Sequence, residues 1–551
     1  MDIFTKITAF FVSIAIAIGG WFQYLKPAIP EAKTAEELAE INYGFKTPPI
    51  ADELYVISGS QIKGDEYHTL VCLQGLANRE KVQLVIANGW MVNTALGYME
   101  QSGIKLVKND ENGNLWTLRT LIEKFKNYIA DSGYVLYRYS EFAEGLNTAN
   151  NYATLKGWLA VPTELKDFAE SCGLTLKKDI SEEKYDYRFL RKFFNEYKKE
   201  FSESGIVHVK SVAVGLRDFA IQQGMYICYT DSTSKGDRFL KKVLNSIGES
   251  GLIMGWCELE KNFVKLASKQ GYAVSPADYS YNLSVLNSFE CDFTAPAKHE
   301  KITPSPDKHY VSFVFSDGDN VQWVTNGCSE YYRHLALERD YPLTWGLPCI
   351  CQEICPNVTK TMYAAVDDKT DFIAGPSGIG YALPSVFEEK SMDRYTTQTA
   401  AAMLRSGIRI VNILDDKPSA IKTASFIRKF DYYSRFDNID GGIVFLDPNK
   451  YESGAGEIWF SNGKPFVSVR KSLWADEGYD GVTDEWMAQQ AEEINSYEAN
   501  NNSVDGYSAI CIHAWSMTPE KLNEFVKLLD DHIEIVSTTQ LIDMIAENVN
   551  P

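Results

Sequence analysis

From residue 50 onward, short wholly apolar runs alternate with stretches in which apolar residues recur every three or four positions, the pattern of strands alternating with helices. The alternation is clearest in the last 245 or so residues. Eight runs there read as strands: 310–315, 343–347, 371–374, 408–413, 442–446, 465–469, 508–512 and 533–536. Most are apolar at every position, as strands covered on both faces must be. Helical periodicity fills several gaps between them, at 359–366, 397–405, 484–497 and 519–529, but not the gap between the fifth and sixth strands. The fold class is therefore α/β, with an irregular (β/α) TIM-like barrel over 305–551, a length close to the ~250 residues of that architecture.

The pattern ahead of the barrel is weaker and partly repeated. GWLAVPTELKDFAESCG (157–173) and GWCELEKNFVKLASKQG (255–271) share a Gly-Trp start and a closing Gly, and GWMVNTALGYMEQSG (89–103) is a looser copy. Each reads as a helix opened near the Gly-Trp pair, closed by a left-handed glycine cap and followed by a short strand. Three small α/β domains follow, at 50–130, 131–212 and 213–302, and the Pro- and Lys-rich stretch APAKHEKITPSPDK links them to the barrel. Residues 28–49, with three prolines, read as a stalk. Residues 1–27 hold nineteen uncharged positions between Lys6 and Lys26. As a helix these would span roughly the ~30 Å of a bilayer core. Ala15-Ile16-Ala17 also suits a signal-peptidase site, so the segment is a membrane anchor or a signal, and both predict export to the extracytoplasmic side.

Composition narrows the partners. The 551 residues carry a net charge of −20, and no Lys/Arg run stands out, which argues against nucleic acid. The aromatic share of 13% supplies flat faces for cores or for sugar stacking. Ten cysteines are scattered over more than 400 residues, so they form no disulfide framework. Cys349, Cys351 and Cys355 fit no zinc spacing, and neither a metal nor a cofactor is implied.

The chemistry is expected where the barrel strands end, because parallel strands open their C-terminal ends onto one face. The first strand is followed by Asp317-Gly318-Asp319, the second by Glu353, the third by Gly378-Ile379-Gly380-Tyr381, the fourth by Asp415-Asp416, the fifth by Asp447, the sixth by Arg470 and the seventh by His513-Ala514-Trp515. A single Asp after a strand is most often a helix cap. Seven polar strand ends together suit a polyhydroxylated substrate. Paired carboxylates act as acid and base across a glycosidic bond, which makes Asp317 and Asp319 the first catalytic candidates, with Asp415, Glu353 or His513 as the complement. Gly378, Gly380 and Tyr381 read as a backbone that approaches a ligand closely, with a plain tight turn as the rival. Asp416, Asp447, Arg470, Trp323, Trp474 and Trp515 complete the binding set, and Trp345 is a further stacking candidate.

Gly378-Ile379-Gly380-Tyr381-Ala382-Leu383-Pro384 resembles the motif that names the GxGYxYP family, described as glycoside hydrolases, except that Leu383 stands where the motif has Tyr. SFVFSDGDNVQW and GKPFVSVR look like the barrel domain of that family, and the resemblance covers roughly residues 48–545. It implies small N-terminal domains, a barrel and a polysaccharide or glycan substrate more firmly than it implies a reaction. More distantly, Asp317-Gly318-Asp319 is similar to the DDG segment of NodB-like polysaccharide deacetylases. The stretch from His513 through Val536-Ser537-Thr538 is similar to their closing His motif. Those enzymes hold a metal with an Asp and a His pair that this chain lacks. Three readings follow: a glycoside hydrolase, a deacetylase-like enzyme with an incomplete metal site, and a non-catalytic glycan-binding surface protein.

Overall fold

Strands buried on both faces account for the C-terminal half. The computed structural model describes residues 28–549 apart from 63, 141–143, 250, 290–291, 294, 297–298, 327–334, 336, 418 and 420–422. The apolar run expected to anchor the chain lies outside the described residues. Among those described, no helix is long and apolar enough to cross a membrane.

Ahead of the barrel lie three parallel sheets. The first has β1 (Ile50–Ser58), β2 (Val82–Ala87) and β3 (Lys105–Val107) in the order β2-β1-β3. The second has β4 (Gly133–Tyr137), β5 (Leu159–Pro162) and β6 (Thr175–Asp179) in the order β5-β4-β6. The third has β7 (Gly205–His208), β8 (Tyr226–Cys228), β9 (Leu252–Gly255) and β10 (Val274–Ser275) in the order β10-β9-β7-β8. Helices α1 (Asp65–Ala77), α2 (Gly145–Lys156), α3 (Tyr187–Tyr197), α4 (Arg217–Gln223), α5 (Ser234–Leu244) and α6 (Glu260–Lys269) connect these strands.

Helix α1 is buried from His68 to Ala77 because it packs on β5 of the second sheet and on α4 of the third. Gly75 permits that approach, since a Cβ there would sit 2.8 Å from Ile221 Cβ. Polar side chains close the seams in place of backbone ladders. Asn151 of α2 donates to Ile227 O and accepts from Ile227 N, both at 2.8 Å, so a buried strand edge keeps its partners.

The Gly-Trp copies differ in detail. Trp90 and Glu260 open helices as the pattern predicts, or nearly so, but Gly157 caps the helix before it, and Trp158 leads into β5 instead. The closing glycines Gly103, Gly173 and Gly271 all have positive φ, the conformation their role requires.

The barrel is built from β11 (His309–Phe315), β12 (Leu343–Leu347), β13 (Thr370–Ala374), β14 (Ile410–Asp415), β15 (Gly441–Leu446), β17 (Lys464–Leu473) and β18 (Tyr507–Ile512). These seven close in the order β12-β13-β14-β15-β17-β18-β11, with β11 returning to β12. All residues of β11 to β15 and of β18 are buried. The expected helix-free gap is filled by a short strand, β16 (Ile458–Ser461), antiparallel to β17. The eighth candidate, β19 (Ile533–Ile535), pairs with β11 only from His309 to Val311, while β11 meets β12 at Val314. Three residues are too short to reach the far rim, so β19 fills the foot of that seam and seven strands carry the closure. Around the barrel, α7 (Glu389–Ser406) ends on Gly407 in the left-handed region.

Candidate active site at the barrel mouth

The turn after β11 is set by close backbone packing. Ser316 is fixed by its amide on Ile512 O at 2.9 Å and by its hydroxyl, which accepts from Ala514 N at 3.1 Å. Asp317 then takes a positive φ of 64°, and Gly318 lies flat against the backbone of Gly346 and Gly375. Any Cβ at Gly318 or Gly375 would collide with that backbone, so only glycines let the loop cross the strand ends this closely.

The two flanking carboxylates are half-buried at the mouth. Asp317 accepts from Trp515 Nε1 at 3.2 Å and from the Ser316 hydroxyl. Burial raises its pKa, and these two hydrogen bonds oppose the shift. Asp319 is raised well above the usual carboxylate range, first by burial and then by the neighbouring charge of Asp317, with a smaller contribution from Glu260. The mouth thus holds a carboxylate with donors for its charged form beside one that favours its proton.

Glu260 opens α6 of the third sheet's unit, and it stands solvent-accessible on the wall of the same mouth. Its carboxylate is hydrogen-bonded to the Tyr381 hydroxyl, and burial, then the charge of Asp317, raises its pKa. The same helix is pinned to the barrel by two ion pairs, Lys261 with Asp447 and Lys265 with Asp416, the latter at 3.3 Å. Aromatic rings line the rest. Trp474 and His513 are stacked face to face, with centroids 3.7 Å apart, and Tyr451 meets Trp474 edge-on at 5.3 Å. The electrostatic surroundings of Tyr451 include Asp317, Glu260 and Asp319. Trp515 is half exposed and rests edge-on against Trp323 at 4.8 Å. Burial and then Lys450 hold the His513 imidazole down at about 4, so it is neutral near pH 7, with Nδ1 at 2.9 Å from the Ser516 hydroxyl.

Several candidates serve other ends. Glu353 turns away to an ion pair with Arg405 of α7 at 2.6 Å, because it falls on a short helix after β12 instead of on the rim. Asp415 is fully buried and accepts from Ser385 N at 2.7 Å and Lys417 N at 3.0 Å, so it braces two loops. Arg470 lies within β17, not after it, since that strand runs on to Leu473. At the register shift between Val469 and Lys471, its side chain turns to Asp505 O and over the Tyr497 ring. Trp345 is buried against Phe315 at 4.4 Å, and Trp323 is buried beneath Trp515, so neither offers a face to a sugar. Asp416 and Asp447 reach the mouth, but as anchors for α6.

The Gly378-Ile379-Gly380-Tyr381 segment is buried throughout. Gly378, at φ 131°, makes room for Thr399 of α7, and Gly380 lies against Val274 of β10. Val274 and Tyr381 exchange both backbone hydrogen bonds, at 2.9 and 2.7 Å, and the Tyr381 ring stacks on Trp256 at 6.2 Å. The glycines admit a helix and a neighbouring strand edge, within a turn closed by Gly378 N on Gly375 O at 2.8 Å. Tyr381 alone reaches the carboxylates, through Glu260.

Glu260 and Tyr451 were not among the candidates. Glu260 follows β9 by a few residues, so the strand-end rule applied to the third sheet points to it, but nothing in its sequence says that this sheet faces the barrel. Among the described residues, no three His, Cys, Asp or Glu side chains converge as metal ligands, and the eight described cysteines are free and buried.

Comparison with known proteins agrees with this arrangement. Residues 307–546 match the model described as "GxGYxYP putative glycoside hydrolase C-terminal domain", and residues 203–288 match "GxGYxYP third domain". A crystal structure titled as a putative hydrolase from Bacteroides thetaiotaomicron VPI-5482 superposes with a TM-score of 0.80 at 27% identity, covering 92% of this chain and 96% of that one. No curated protein matches. The two matched domains are the ones that meet at the mouth, and on them the chain belongs to the GxGYxYP family.

Proposed function

We propose that the protein hydrolyses glycosidic bonds of a polysaccharide or glycan at the barrel mouth. The observation that carries the reading is the convergence of Asp317, Asp319 and Glu260 beside exposed aromatic rings. Asp319, whose surroundings favour the protonated form, is the general acid that protonates the leaving oxygen. Asp317, with hydrogen-bond donors from Trp515 and Ser316, is the ionised partner that meets the positive charge growing on the sugar. Glu260, steadied by Tyr381, holds substrate hydroxyls from the facing wall. Trp515 and the Trp474–His513 stack offer flat faces to the rings of the chain.

The test is release of reducing sugar from a panel of polysaccharides. Asp319→Asn is expected to lower turnover by ~100-fold or more at an unchanged melting temperature. A mere cap would tolerate Asn, which caps about as well as Asp. If Asp317→Asn and Asp319→Asn both keep near-normal turnover on a substrate the parent cleaves, the assignment fails.

A further inference from the structure

A cavity lies between the second and third sheets, outside the barrel. It is a cleft of about 1340 Å³, above the ~300–1,000 Å³ of small-ligand sites and so sized for an oligomer. Two helices give it their polar faces. Arg188, Arg191, Lys192 and Asn195 of α3 recur at the i, i+3, i+4, i+7 spacing of one helical face, and Lys235 and Arg238 of α5 do the same at i, i+3. In the sequence these cations are spread over residues 188–238 and form no run. The fold gathers them into one wall, on a chain whose net charge is −20.

The acids in the cleft are already engaged. Asp186 caps α3 through Arg188 N and Phe189 N, both at 2.9 Å, and Asp231 accepts from Tyr187 and from Thr233. Glu258 is paired with Lys210, while Glu144 accepts from Asn147 and from Tyr229 N. By contrast, Arg191, Lys192, Lys235 and Arg238 have no ion-pair partner among the described residues. Six cations line the cleft against four acids, so its balance of charge is positive. Tyr185, Tyr187 and Tyr229 add half-buried rings, and the exposed side chains of Val212 and Leu259 add apolar surface. Arginine forks match carboxylates bidentately, and tyrosine faces take sugar rings.

We propose that this cleft binds an anionic glycan, a chain bearing uronate carboxylates or sulfate esters. Glu258 and Leu259 line the cleft, while Glu260 and Lys261, the next residues along the chain, belong to the mouth, so a glycan held here leads toward the barrel. The binding stands apart from hydrolysis and is measured without it.

Calorimetric titration of the full chain compares an oligogalacturonate, a sulfated oligosaccharide and a neutral oligosaccharide of equal length. At least one anionic chain should bind ~10-fold or more tightly than the neutral one, and weaken as salt rises. The sulfated arm tells carboxylate from sulfate. Arg191→Glu with Lys192→Glu and Arg238→Glu should lower that affinity at least ~10-fold, and the matching Gln variants by less, all at an unchanged melting temperature. Asp319→Asn should bind as the parent does, which separates this site from the mouth. Equal binding of the neutral chain, affinity indifferent to charge reversal, loss of binding in Asp319→Asn, or tighter binding of an oligonucleotide of equal charge would each overturn the proposal.

Discussion

Two loops of the barrel carry glycines beside residues that suggest chemistry, and they do different work. In Asp317-Gly318-Asp319, the glycine packs on glycines of the barrel itself, and its neighbours are the carboxylates of the mouth. In Gly378-Ile379-Gly380-Tyr381, the glycines accommodate Thr399 and the edge of the third sheet, and the segment is buried. A glycine reports that another backbone or side chain comes close; it does not report what comes close. The family's signature motif is therefore a docking seam that delivers one tyrosine to the site, while the less conspicuous loop holds the acids.

That contrast is open to attack from both sides. Glu260→Gln removes a carboxylate that the seam brings to the mouth, and a lost charged hydrogen bond of ~1.5–3 kcal/mol corresponds to a ~10- to 100-fold fall in kcat/KM. Steady-state kinetics would show it, and an unchanged kcat/KM would leave the seam without a part in the chemistry. The pH profile sharpens the same point. An acid must keep its proton, so kcat/KM falls as pH rises through the elevated pKa of Asp319. Removing the Glu260 charge, one contributor to that elevation, should shift this limb to lower pH. Gly318→Ala puts a Cβ into the backbone of Gly346 and should cost ~1–3 kcal/mol on thermal unfolding, with activity lost as the carboxylates are displaced. Gly380→Ala should cost least. Its Cβ would sit 3.0 Å from Val274 O and 3.2 Å from Ser275 Oγ, a tight fit with small give, so a loss under about 1.5 kcal/mol and nearly parental kcat/KM are expected. If the two alanine variants exchanged these outcomes, the roles of the loops would be reversed.

The barrel was legible because its strands are buried on both faces, which writes them as apolar runs. Leu343–Leu347 falls where the pattern puts it. The end of β17 was not, because Arg470, Lys471 and Ser472 continue a strand whose bulge lets polar side chains leave the core. The place of Asp317 and Asp319 at the barrel mouth was legible from position alone. The distinction between Asp415 as a brace and Asp319 as the proposed acid was not, since it rests on which amides happen to face each carboxylate. Glu260 lay beyond reach for a stronger reason. Its place in the site depends on how one folding unit sits on another, and that is fixed by long-range pairs such as Lys265 with Asp416, which leave no local pattern.

Those same pairs bear on how the protein can change over evolutionary time. A barrel inherited without α6 would keep Asp317 and Asp319 but lose Glu260, the partner of Tyr381, and both lysine clamps. Recombination at the Pro-rich segment near 295–306 would thus separate the parts of one mouth, even though a linker there looks like a natural module boundary. Selection on the chemistry should hold the third unit and the barrel together as a single heritable piece.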